Sequence, residues 1–190
     1  MMHIVKNSML IRAGLAVLLY IAPVTAHAQS GQAPTIEAGA IEVGVDAAMT
    51  TTEGISNGSV ILRGGFFCRA LRGLGGVELA GAYRHVSSLD ATDLEALVSW
   101  QKRFRHTGNY PFVSMGGGLR REDIGSFSQT LYPLGFSVGI RSLLGQRGGF
   151  RVEYRFRRIF NDPSADYSEH HVTVGLSVYF RNPSPGAGSN

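Results

Sequence analysis

In GFRVEYRFRRIF, from Gly149 to Phe160, the apolar residues Phe150, Val152, Tyr154 and Phe156 alternate with Arg151, Glu153, Arg155 and Arg157. A period of two belongs to an extended strand, whose successive side chains point to opposite faces. One face of this strand is greasy and the other carries four charges of mixed sign. A helix would scatter the same residues around its circumference, so the segment requires a sheet with two very different environments on its two sides.

The split recurs. Val77, Leu79, Gly81 and Tyr83 oppose Glu78, Ala80, Ala82 and Arg84, and Leu134, Phe136, Val138 and Ile140 oppose Gly135, Ser137, Gly139 and Arg141. Ile41, Val43, Val45 and Ala47 oppose Glu42, Gly44 and Asp46. Reading for period gives eight strand-like segments, near Ile36 to Met49, Ser59 to Arg69, Gly76 to His85, Asp93 to Phe104, Tyr110 to Arg120, Thr130 to Ser142, Gly149 to Phe160 and Glu169 to Phe180. Gly, Asn, Asp and Ser clusters separate them, and no helical period is sustained. Their number is even. Most reach ten residues, whereas strands of soluble proteins peak at ~5–6 and a tilted membrane-crossing strand takes ~9–11.

The polar faces are rich in Arg, Glu and Gly and almost free of Lys, unlike a face turned to bulk water. A narrow closed interior suits that composition, because glycine leaves room and a buried charge must find a partner or cost several kcal/mol. The expected fold is therefore an all-β, eight-stranded antiparallel up-and-down transmembrane barrel. Its lumen is expected to be plugged by an ion-pair network of Glu42, Asp46, Arg63, Glu78, Arg84, Glu95, Arg103, Arg141, Arg151, Glu153, Arg155 and Arg157. Leu97, Phe112 and Pro133 interrupt the alternation.

With the first strand starting on the periplasmic side, Phe66, Phe104, Tyr110, Phe150 and Phe180 fall at the inner rim and Tyr83, Tyr132 and Phe160 toward the outer one. Two aromatic girdles around an apolar band are what a lipid boundary selects. Trp100 and Cys68 share the lipid-facing parity. The outer loops are placed at Thr50 to Gly58, Val86 to Thr92, Arg121 to Gln129 and Asn161 to Ser168. Their acids, Glu53, Asp90, Glu122, Asp123, Asp162 and Asp166, contrast with Arg69, Arg72, Lys102, Arg105 and Arg147 on the inner turns.

The first 28 residues read as an export signal, with Lys6 and Arg12 ahead of an apolar run from Ala13 to Ala22 and a small-residue site ending at Ala28. That run is shorter than the ~20 apolar residues of a spanning helix. The barrel is assigned to residues 29–180 and a disordered tail to 181–190. Without the signal, the chain's 18 basic and 14 acidic residues become 16 and 14, so the basic precursor says little about nucleic acid, and none is expected as a partner. The lone Cys68 excludes an intrachain disulfide.

The last segment, HHVTVGLSVYF, puts Val172, Val174, Leu176, Val178 and Phe180 on one face and His171, Thr173, Gly175, Ser177 and Tyr179 on the other. Thr173, Gly175, Val178 and Phe180 resemble the terminal signature of bacterial outer-membrane barrels of the OmpA/OmpX-like kind. The resemblance implies recognition by the barrel-assembly machinery, closure against the first strand, and a location in the outer membrane among lipid and lipopolysaccharide. It also implies a non-enzymatic surface or envelope-integrity role, with no cofactor. A narrow solute channel is a further alternative.

One constellation points to chemistry. In RHVSSLD, His85 and Ser87 lie two apart on one strand face, with Asp90 or Asp93 in reach to orient the imidazole. It is similar to the His-x-Ser arrangement of outer-membrane lipid A deacylases, although Ser88 stands where that family has Asn and the motif lies mid-chain. Ser168 and His170 also share a face. Glu169, His170 and His171 form no metal site, since neighbours on a strand diverge. SMGGGLR, Ser114 to Arg120, lacks the Lys-Ser/Thr end of a phosphate loop.

Overall fold

The structure, a computed structural model, describes residues 35–180 apart from Glu53, Ser87, Ser88, Arg105, His106, Gln146 and residues 162–165. The expected signal segment, the tail at 181–190 and the predicted roles of Glu53, Ser87, Arg105 and Asp162 lie outside the described residues. The strands are β1 (Ile41–Thr52), β2 (Ile55–Ala70), β3 (Gly73–Val86), β4 (Leu89–Gln101), β5 (Asn109–Ile124), β6 (Phe127–Leu144), β7 (Gly148–Phe160) and β8 (Tyr167–Phe180). Each pairs antiparallel with its sequence neighbours, and β1 pairs with β8 from Ile41↔Phe180 to Thr52↔Glu169, closing the sheet into a barrel. Closure leaves no strand edge.

We call the end holding Ile41 and Phe180 the terminal end and the opposite one the far end. The strands run further toward the far end than their apolar alternation indicates. Thr50, Thr51 and Thr52 pair with Asn57, Ser56 and Ile55, and Arg121 to Ile124 pair with Thr130 to Phe127. The loops expected at Thr50 to Gly58 and Arg121 to Gln129 are thus mostly ladder, with tight turns at Gly54 and Gly125, both at positive φ. The reason is physical: apolar alternation reports the solvent outside a strand, whereas backbone pairing continues wherever N–H and C=O groups meet.

The inside and outside are inverted relative to a water-soluble domain. Leu62, Leu79, Val98 and Leu176 stand 59–66% exposed on the outer wall, while Glu42, Glu78, Arg120, Arg141 and Glu153 are fully buried inside. Trp100 and Cys68 are exposed on the outer face. The interrupting residues face inward: Leu97 and Phe112 are buried. Opposite Pro133, which has no N–H to give, the β5–β6 ladder breaks between Gly117↔Leu134 and Arg120↔Leu131. Gly116 and Gly118 answer the glycine run, since a Cβ on either would collide with the carbonyl oxygens of Ala96 and Leu94 on β4.

The terminal end is stoppered by apolar side chains. Ile36, Ala40, Phe67, Tyr110, Leu143 and Tyr179 form one buried cluster, with Leu74 against it. The segment before β1 is tied beneath the barrel: Gly39 N donates to Phe67 O at 2.6 Å, Phe67 N to Ala40 O at 3.0 Å, and Ile36 N to Tyr110 Oη at 2.9 Å. This corrects two expectations. Ile36 precedes the first strand, which begins at Ile41, and Tyr110 is an interior residue rather than a rim aromatic.

Candidate functional site

The lumen is filled by side chains from all eight strands. Near the terminal end, Glu42 accepts from Ser177 Oγ at 2.7 Å and Tyr179 Oη at 3.0 Å, with Arg141 Nε at 3.5 Å. Arg141 donates to Glu78 at 2.5 Å and to Gln101 at 2.5 Å. Arg141 and Arg151 both lie over the Phe112 ring, at 4.2 and 4.3 Å from its centroid, so the interior aromatic carries two cations on its π cloud.

Deeper in, Glu78 also takes Arg151 at 2.7 Å and Arg63 at 3.2 Å. Glu153 receives Arg151 at 2.7 Å, Arg155 at 2.8 Å and Arg63 at 3.4 Å. Arg63 further binds Asp46, and Glu95 binds both Arg155 and Arg157. Glu78, Glu153 and Glu95 thus each meet two or more guanidiniums, the arrangement that offsets the desolvation of a buried charge. The alternating Arg, Glu, Arg, Arg of β7 forms the spine, because residues two apart share the inward face.

Toward the far end the pairing continues through residues the sequence reading left out. Arg120 holds Asp93 at 2.6 Å and Glu169 at 2.8 Å, and Arg157 reaches Asp93 at 3.1 Å and Glu169 at 2.6 Å. Arg84 stands 3.8 Å from both carboxylates. His171 Nε2 lies 3.1 Å from Glu169 Oε2 and its Nδ1 lies 3.1 Å from Thr50 Oγ1. A carboxylate only accepts, so Nε2 carries the proton and, in the neutral ring, Nδ1 accepts from Thr50. Glu122 approaches Arg120 at 3.6 Å and accepts from Gln129 at 2.9 Å. Between Asp93, Arg157 and His171 and the small wall of Ser59, Ala80 and Ala82 is a cavity with room for about one water molecule.

Of the expected network residues, Glu42, Asp46, Arg63, Glu78, Arg84, Glu95, Arg141, Arg151, Glu153, Arg155 and Arg157 are brought together inside. Arg103 is the correction. It falls past the end of β4, in the connection to β5, and donates to Thr107 O at 2.8 Å. Of the two acids offered as partners for His85, Asp93 is inward-facing and bound to Arg120, and Asp90 is the one beside the imidazole. Parity extended past the apolar band would have found Arg120, Glu122 and Glu169, and it already puts His171 on the polar face of the last strand.

Around the far rim, polar pairs also lie on the outer face. His85 Nδ1 is 2.7 Å from Asp90 Oδ1, and Tyr83 Oη donates to the same oxygen at 2.7 Å. Arg121 Nε is 3.3 Å from Asp123. Arg158 donates to Ser168 Oγ at 3.2 Å. Among the described residues, no group of three or more His, Cys, Asp or Glu is placed to hold a metal ion. On β8, Thr173 and Gly175 face the lumen and Val178 and Phe180 the outer wall. A Cβ at Gly175 would overlap the Asp46 carboxylate, so glycine is what lets β8 lie against β1 there.

No protein-family model and no curated protein matches this chain. Solved structures do. Neisserial surface protein A (NspA) aligns over 74% of this chain and 96% of its own, at 16% identity and a TM-score of 0.54. The N-terminal β-barrel domain of Pseudomonas aeruginosa OprF aligns over 75% of this chain and 98% of its own, at 12% identity and a TM-score of 0.54. The outer membrane protein OprG from Pseudomonas aeruginosa covers 80% of this chain and 99% of its own, at 14% identity and a TM-score of 0.50. This chain has the fold of the small bacterial outer-membrane barrels. At such identities the likeness carries the fold and leaves the role to the residues.

Proposed function

We propose that this chain is an outer-membrane barrel of a Gram-negative envelope with a non-enzymatic surface or envelope-integrity role. The observation that carries the reading is the inversion of polarity: an apolar outer wall around a charged, paired interior. In water such a wall would be an exposed patch far larger than soluble monomers tolerate. In hydrocarbon it is the favourable surface, and closure of β1 on β8 leaves no open sheet edge in lipid. The fold likeness supports the same membrane. The packed lumen argues against steady solute flow, and the tight far-end turns argue against a long-looped adhesin.

In this reading the export signal delivers the chain and is removed after Ala28. Thr173, Gly175, Val178 and Phe180 present the terminal strand to the barrel-assembly machinery, with Val178 and Phe180 on the accessible outer wall. Lipid and lipopolysaccharide are then the surrounding partners. The test is fractionation of cells producing the chain, followed by gel migration with and without heating. Recovery in the outer-membrane fraction as a heat-modifiable band whose first residue is Gln29 is expected. Recovery as a soluble periplasmic protein would overturn the proposal.

One observation favours a second reading. The close His85–Asp90 pair is the orienting half of an acid–base system, and an acyl hydrolase working on outer-leaflet lipid would need it. Lipid A mass spectra from cells carrying the natural chain and H85A discriminate: identical spectra are expected under the non-enzymatic reading, and loss of a deacylated species would replace it.

A further inference from the structure

The outward-facing basic side chains of the far rim are not partnered alike. Arg121 is paired with Asp123 at 3.3 Å and His85 with Asp90 at 2.7 Å. Arg158 has a hydroxyl, Ser168, and among the described residues no carboxylate as ion-pair partner. It occupies the outer face of β7 two places before Phe160, whose ladder partner Tyr132 is also an exposed outer-wall aromatic. Arg158 therefore sits at the aromatic boundary, where a long side chain can lay its methylenes on apolar wall and hold its head at the lipid–water interface.

Its surroundings extend the pattern. β8 contributes Ser168 and His170, and Thr51 of β1 is the ladder partner of His170. Thr51 Oγ1 in turn lies 3.1 Å from Ser56 Oγ of β2. Below this hydroxyl-bearing strip, Tyr154 Oη and His170 Nδ1 are 2.6 Å apart, and Phe156 packs edge-on to His170 at 5.4 Å. Phe136 continues the aromatic floor at 5.6 Å from Phe156. The outer wall at β7–β8–β1 thus offers a cation and hydroxyls above a bed of rings. The rim positions around β3–β5 offer basic groups already held by carboxylates.

We infer that this strip binds the phosphate headgroup of a membrane lipid, with Arg158 as its anchor. A guanidinium presents two parallel N–H donors that match two phosphate oxygens. Ser168 supplies a neutral hydroxyl beside it and Thr51 another across β8, and the floor of Phe136, Tyr154 and Phe156 lies where the acyl chains descend. The occupant is a lipid rather than free phosphate because half of the surface is apolar. The inference rests on the bilayer reading above.

The test uses the full mature chain refolded in non-ionic maltoside micelles, with lipid retention counted by native mass spectrometry. Dioleoyl phosphatidic acid is the probe; dioleoylglycerol has the same chains without phosphate, and inorganic phosphate has the same headgroup without chains. The natural chain is expected to retain phosphatidic acid, R158Q to bind it about tenfold more weakly, and R158K to fall between them, since it keeps charge but loses the fork. R121Q is expected to stay within about twofold, because that cation is already paired. Dioleoylglycerol should not be retained, and millimolar phosphate should not displace the lipid. Equal retention by R158Q, an equal loss in R121Q, retention of dioleoylglycerol, displacement by phosphate, or no retention by the natural chain would each overturn the inference. Unheated gel migration certifies that each variant is folded. Vesicle insertion of the same preparation is scored separately: a chain that inserts without selecting phosphate retires only this inference, whereas one that fails to insert retires the bilayer reading.

Discussion

At the terminal end of the lumen, Ile36 and Ala40 lie beneath Phe67, Tyr110, Leu143 and Tyr179, an apolar stopper with the chain itself folded under it. At the far end, Asp93, Arg157 and His171 face a wall of Ser59, Ala80 and Ala82 with space for about one water molecule. The first end is closed by packing, which is insensitive to salt and costly to remove. The second is closed by charge pairing near solvent, where partners can exchange for water. A narrow barrel therefore has one permanent seal and one end whose contents are held only by their neighbours.

The largest effect that separates the ends should come from F67A. Phe67 is fully buried at the centre of the stopper, and its truncation should cost about 3–5 kcal/mol, read as a lower urea midpoint in micelles. Arg84 is the far-end counterpart, buried but 3.8 Å from each of its carboxylates. R84A should cost about 1 kcal/mol, because neither ion pair is close and Asp93 and Glu169 keep Arg120 and Arg157 as partners. A loss as large as that of F67A would break the comparison. The smallest effect is on conductance: R84A should leave planar bilayers as silent as the natural barrel, since the stopper is intact. Combining F67A with Y179A should be what first admits steady current steps; steps from R84A alone would show that the far end holds the seal.

The fold was legible because hydrogen-bond geometry and polarity repeat with the same period of two in Gly149 to Phe160 and Glu169 to Phe180. The middle of the lumen was legible for the same reason: Glu78, Arg141, Arg151 and Glu153 sit where greasy neighbours mark which face is which. The far tier was not. Beyond the apolar band both faces of a strand are polar, so Arg120, Glu122 and Glu169 lose the contrast that reveals their side, although the ladder fixes it. Tyr110 failed for the opposite reason. An aromatic at a strand end suits either a rim or a stopper, and Ser114 to Gly118 carry too few side chains to transmit parity along β5. Arg103 lay in a segment whose alternation ran on past the last ladder pair at Gln101.

The β1–β8 seam joins Ile41 to Phe180, the two extremes of the cylinder's own sequence. Glu42 finds Ser177 and Tyr179, and His171 finds Thr50, only once that final zipper has formed. Such distant pairings are slow to form because chain entropy must be surrendered before they repay it. In the proposed bilayer setting, a chain lacking its last strand has nowhere to shelter its arginines and carboxylates from oil, so insertion is expected only after the final aromatic is in place.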